Sequence, residues 1–144
     1  MLMRYDKTEH GFMVHVVFDS PSDGDWQKLL DYLLAHKDKL KGTMVFVHGD
    51  GGLTAKQRSG LAEVIKVMRP GFRSAVLTSS RVTRGILTAL NWLTKKQDDS
   101  SAFPLDGFDD AAVFLSMGIP EKQAARALAE KLGAFPKPGR AAIG

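Results

Sequence analysis

The chain has no cysteine. That absence removes disulfides, thiolate metal sites and thiol nucleophiles at once, and it fits a reducing compartment. No apolar run approaches the roughly 20 residues that a helix needs to cross a bilayer. The first ten residues carry Arg4, Asp6, Lys7 and Glu9 where a secretory signal would be apolar, so a soluble cytoplasmic protein is expected. Three reactive signatures are also missing. There is no Gly-x-x-x-x-Gly-Lys-Ser/Thr phosphate loop and no Gly-x-Gly-x-x-Gly after a strand. Nor is there a Gly-x-Ser-x-Gly nucleophile elbow.

What is present suits one ordinary domain. The 144 residues are 44% hydrophobic and 25% charged, enough apolar material for a real core. The net charge of +4 is spread along the chain as Lys37, Lys39, Lys41, Arg69, Arg73, Arg81, Arg84, Lys95 and Lys96. A solvated surface explains such scatter, and it makes no strong nucleic-acid signal unless folding gathers several cations on one face.

Hydrophobic periodicity divides the chain into alternating strands and helices. Leu2 to Asp6 reads as a short strand, with a turn at Thr8-Glu9-His10-Gly11. Phe12 to Phe18 is apolar on both alternating faces, which predicts a strand covered on both sides. Trp26, Leu29, Leu30, Leu33 and Leu34 recur at helical spacing, and the lysines from Lys37 to Gly42 close that helix. Met44 to Val47 is a buried strand. Thr54 with Gln57 forms a capping box that opens a helix to about Met68, which Pro70 and Gly71 stop.

Ala75-Val76-Leu77 is the next strand, and Ser79-Ser80 offer caps for a helix bearing Val82, Ile86, Ala89, Leu90 and Leu93. Gln97 to Ser101 reads as a polar loop, and Ala102-Phe103 as a minimal edge strand closed by Pro104. Asp106 and Asp109 open a short helix with Ala112, Val113 and Leu115; Pro120 opens a last one with Ala124, Ala125, Leu128 and Leu132. Trp26 and Trp92 are expected to pack inward. The reading is a single α/β domain over residues 1–134, a mixed and mostly parallel sheet of about four to five strands with helices on both faces. A flexible tail is expected over 135–144.

The run from Ala75 through Leu77-Thr78-Ser79-Ser80-Arg81-Val82-Thr83-Arg84-Gly85-Ile86 to Asn91-Trp92-Leu93 resembles the SpoIIAA-like branch of the STAS-type domains. Ala102-Phe103-Pro104-Leu105, Phe108-Asp109-Asp110-Ala111-Ala112 and Phe114-Leu115 are similar to the same family. The resemblance spans Phe12 to Gly118 and leaves the last helix outside. It implies a non-enzymatic regulatory or protein-binding module of STAS/SpoIIAA-like fold, which docks an unidentified protein partner. Sigma-factor antagonists in that group carry a phosphorylatable serine in an Asp-Ser-Ser/Thr-Gly-Leu motif. The nearest segment here is Arg58-Ser59-Gly60-Leu61, where Arg58 departs from the pattern and Ser59 falls inside a helix.

Candidate sites cluster at strand ends. Val47-His48-Gly49-Asp50-Gly51-Gly52 is similar to the oxyanion segment of α/β-hydrolases, so His48 with Asp50 is one hydrolytic reading, although no nucleophile accompanies them. A glycine-rich strand-to-helix turn is the plainer one. His10, His15, His36 and His48 have no helical metal spacing, so neither a metal nor a cofactor is expected. Arg81 and Arg84 lie in a helix's first turn, where cations are unfavourable unless an anion or carboxylate meets them. Asp50, Thr54, Ser79, Ser80, Arg81 and Arg84 therefore form the expected partner- or anion-binding rim, with a small anion or lipid as the alternative ligand. Arg84 could equally pair with Asp50 or Asp106. The edge strand and the last helix are possible homodimer contacts.

Overall fold

The computed structural model describes residues 3–49, 53–81, 83–85, 88 and 99–135. Five strands form one sheet: β1 (Met3–Lys7), β2 (Phe12–Val17), β3 (Gly42–Val47), β4 (Arg73–Thr78) and β5 (Ser100–Phe103). The helices of the scaffold are α1 (Asp23–Ala35), α2 (Ala55–Val67), α3 (Phe108–Phe114) and α4 (Ile119–Lys131). Residues 81, 83–85 and 88 are also helical. The strands lie in sequence order, β1 antiparallel to β2 and every later pair parallel.

The expected mixed sheet is thus present, and the two-faced strand explains its layering. Phe12, Val14 and Val16 of β2 enter one core with Met44, Phe46, Ala75 and Leu77. Helices α3 and α4 cover that face through Phe108, Ala111, Ala112, Ala125 and Ala129. Met13 and Val17 enter the opposite core with Trp26, Leu29, Leu30 and Leu33 of α1 and Val64 of α2. All six residues of β2 are buried. Crossovers α1 and α2 lie on the same face, as right-handed connections advancing in one direction must. The other face is closed by the two helices that follow β5.

Several expected boundaries move. Leu34 and Val113 are exposed, the latter by 77%, so the apolar faces of α1 and α3 are narrower than their spacing implied. Helix α1 ends at Ala35, no basic residue lies in its last turn, and Gly42 opens β3. Ser100 and Ser101, expected in a loop, pair with Ser74 and Ala75 in β5. The cap of α3 is Gly107 rather than Asp106, and Asp109 instead pairs with Lys122 at 2.8 Å. Trp26 is buried as expected, whereas Trp92 lies outside the described residues.

The last helix covers its own sheet, with Ala125 and Ala129 fully buried. Phe135, assigned by composition to the tail, packs edge-on to Phe46 and Phe108, and the Arg126 guanidinium stacks over it at 5.1 Å. Such contacts tie the end of α4 to the core.

Candidate functional site

The expected rim sits where the C-terminal ends of β3 and β4 meet α2 and the helix at Arg81. Its polar residues divide into two groups. Thr54 and Ser80 are engaged in capping: Thr54 Oγ1 accepts from the Gln57 N–H at 3.1 Å, and Ser80 Oγ from the Thr83 N–H at 3.2 Å. Ser80 is itself buried, and its N–H donates to Thr78 Oγ1. These two side chains hold the scaffold.

Ser79, Arg81 and Arg84 are exposed beside them. Arg84 reaches back to the Thr78 carbonyl at 3.5 Å, a long contact, instead of bridging to Asp106. Neither arginine forms an ion pair among the described residues. Asp50 and the segment to Gly52 lie outside those residues. The strand order never reverses, so the rim is not a topological switch point of the kind at which open α/β sheets usually bind ligands.

Ser59 is exposed on α2. The preceding Arg58 turns back to donate to the Leu53 carbonyl at 2.9 Å, which steadies the entry to that helix. The capping box places Ser59 within the helix, as expected.

The histidines have separate duties. His48 stacks on Phe18 and its Nε2 lies 3.0 Å from the Ala134 carbonyl. A carbonyl only accepts, so Nε2 carries the proton and Nδ1 is the remaining nitrogen. This contact joins the end of β3 to the end of α4. His15 is fully buried in β2, with Nε2 3.2 Å from the Met3 sulfur and its ring edge-on to Tyr5. Burial pushes its pKa down to about 4, so it is neutral at ordinary pH. Among the described residues no group of three His, Asp or Glu side chains could hold a metal ion.

His15 borders a feature that local sequence spacing did not reveal. A cavity of about 120 Å³ lies between the sheet and the helices α1 and α2. Its walls include Met13, Trp26, Val45, Val64 and Met68, and its polar lining residues include His15, Thr43, Ser74, Thr83 and Ser100. Thr43 Oγ1 donates to Ser74 Oγ at 3.0 Å. The Thr83 hydroxyl is buried with no hydrogen-bond partner among the described residues. A buried hydroxyl normally finds a partner, because leaving one unmade costs about 1–3 kcal/mol. The only sequence signal was polar residues on otherwise apolar strands: His15 in β2, Thr43 in β3 and Ser74 in β4.

No helix among the described residues is long and apolar enough to cross a membrane. No protein-family model, curated protein or solved structure matches the chain.

Proposed function

We propose that the chain is a non-enzymatic, STAS-like regulatory or protein-binding module that docks an acidic surface of a protein partner through the β3–β4 rim. The observation that carries this reading is the exposure of Arg81 and Arg84 at a helix N-terminus without an ion pair among the described residues. Cations in that position favour an incoming carboxylate or phosphate. Ser79 adds an exposed hydroxyl at the same edge. Exposed Thr54 and buried Ser80 support the rim by capping the two helix starts.

Affinity capture from lysate of the native host, with the wild type and Arg81→Glu/Arg84→Glu side by side, tests it. A stoichiometric partner should be retained by the wild type and lost by the variant, with nearly unchanged melting temperature. Equal retention by both would remove the rim from the interface.

The cavity favours a second reading, a carrier or sensor of a small apolar molecule. Its size is near that of an engineered apolar cavity of roughly 150 Å³ that admits benzene. The Thr83 hydroxyl, without a partner among the described residues, would favour a ligand with one hydrogen-bonding group, such as a phenol. Phenol should then raise the melting temperature more than benzene does, and Thr83→Val should erase that difference. Equal shifts in wild type and variant would exclude Thr83 from recognition.

A further inference from the structure

The opposite end of the sheet, at the N-terminal ends of β2, β3 and β4, carries a second concavity. It has a volume of about 520 Å³ and is open to solvent. Four separate segments meet there: Lys41 before β3, Arg69 in the α2–β4 turn, Arg73 at the start of β4, and Glu121 in the first turn of α4. Sequence scatter concealed this grouping, since the three cations are up to 32 positions apart and converge only when the sheet forms.

The charges in this cleft do not balance. Lys41 Nζ lies 3.7 Å from Glu121 Oε2. The other oxygen of that carboxylate accepts from the Gly118 N–H at 2.9 Å, so Glu121 is held by the start of α4. Among the described residues Arg73 is held without a carboxylate, donating to the Phe114 carbonyl at 3.1 Å and stacking on the Phe114 ring at 5.3 Å. A single donation leaves most of its guanidinium N–H groups free to face a ligand. Arg69 is exposed and makes no ion pair among the described residues. Three cations thus face one carboxylate.

One wall of the cleft has an unusual backbone. Ser116 lines the cleft with φ of 58°, the one non-glycine residue in the left-handed region among the described residues. Its N–H donates to the Val113 carbonyl, and the Met117 N–H to that of Ala112, which ends α3 in the position that glycine usually fills. A strained serine at the edge of a positively charged cleft is where a functional hydroxyl is worth its conformational cost.

We propose that this cleft binds a phosphomonoester dianion, with Arg69 and Arg73 clamping the phosphate and Lys41 released to it from Glu121. Arginine forks match phosphate oxygens in pairs, and two excess positive charges suit a dianion better than a carboxylate. The same dianion could come from a soluble phosphate ester or from a lipid headgroup.

Calorimetric titration of the full chain with phenyl phosphate at low salt, above the ester's second pKa of about 6, tests the assignment. Saturable binding should weaken about tenfold in Arg69→Gln, the loss expected for one charge-assisted contact. It should tighten in Glu121→Gln, which keeps the acceptor for Gly118 while removing the competing charge. Vesicles of phosphatidylcholine with and without phosphatidic acid separate the two sources. Arg69-dependent retention on the acidic vesicles alone assigns the dianion to a lipid, and Arg69-dependent binding of phenyl phosphate alone assigns it to a small molecule. Binding of neither, or binding indifferent to Arg69→Gln, overturns the proposal.

Discussion

The indole N–H of Trp26 donates to the backbone carbonyl of Gln57 at 3.0 Å, joining α1 to α2 across 31 positions of sequence. Gln57 completes the joint with its side chain. Its Nε2 donates to the Pro21 carbonyl and to Asp23 Oδ1, both at 3.0 Å, while its Oε1 accepts from the Thr54 N–H. One buried glutamine therefore caps its own helix and secures the entry to another.

Gln57→Ala should cost about 2–3 kcal/mol in urea unfolding, since it leaves the Pro21 carbonyl buried without its partner. Thr54→Ala should cost about 1 kcal/mol, as loss of an N-cap usually does. The double variant should cost less than the sum, because both substitutions break one capping box. Strict additivity would show that the two residues act independently.

His15 should make the fold sensitive to mild acid. The unfolded imidazole takes up a proton near pH 6.5, whereas burial delays this to about pH 4 in the folded chain. Between those values the unfolded state binds more protons, so stability falls as pH drops. The full contribution is present above pH 6.5, and roughly 3 kcal/mol is lost by pH 4. Chemical denaturation across that window should show the slope, and His15→Leu should remove it. Asp109 acts lower: its hydrogen bond to Lys122 holds its pKa below the ordinary 3.8, so its support fades only under stronger acid.

Gly42 should tolerate no side chain. A Cβ there would lie 2.7 Å from the Arg73 carbonyl oxygen and 3.2 Å from a Leu115 methyl. The first of these is sheet backbone, which cannot turn aside. Gly42→Ala should destabilise the domain by about 1–3 kcal/mol, measured by thermal or urea unfolding.

Ser116→Gly should have the opposite sign. Glycine adopts the left-handed φ of 58° without the Cβ penalty, so the variant should gain about 1 kcal/mol. If the hydroxyl also touches the bound phosphate, the more stable variant should bind phenyl phosphate more weakly. A gain in stability with unchanged affinity would confine Ser116 to the turn.

Much of the scaffold was legible because it is encoded locally. The two apolar faces of Phe12 to Val17, the Thr54–Gln57 capping box and Pro120 at the start of α4 each act within a few residues, and each appears in the fold. The polar strand residues Ser100 and Ser101 were not legible, since only pairing with β4 makes them extended. Of the expected rim, Thr54 and Ser80 proved to be caps, while Ser79, Arg81 and Arg84 share an exposed edge. The cavity and the basic cleft escaped for one physical reason. Both are assembled from positions far apart, and no short spacing records that they converge.

Strand order that follows the sequence also dictates the order in which the two cores can be sealed during synthesis. The α1–α2 side gains cover as the chain emerges, each crossover arriving beside the strand before it. Val14, Val16, Met44, Phe46 and Leu77 must instead wait for α3, α4 and Phe135, the last described residue. Until then a nascent sheet presents one covered side and one bare apolar side to solvent or to a chaperone. A ribosome stalled before Phe108 would hold a chain that is sticky on that side, and premature termination there would release an aggregation-prone fragment rather than a smaller working domain.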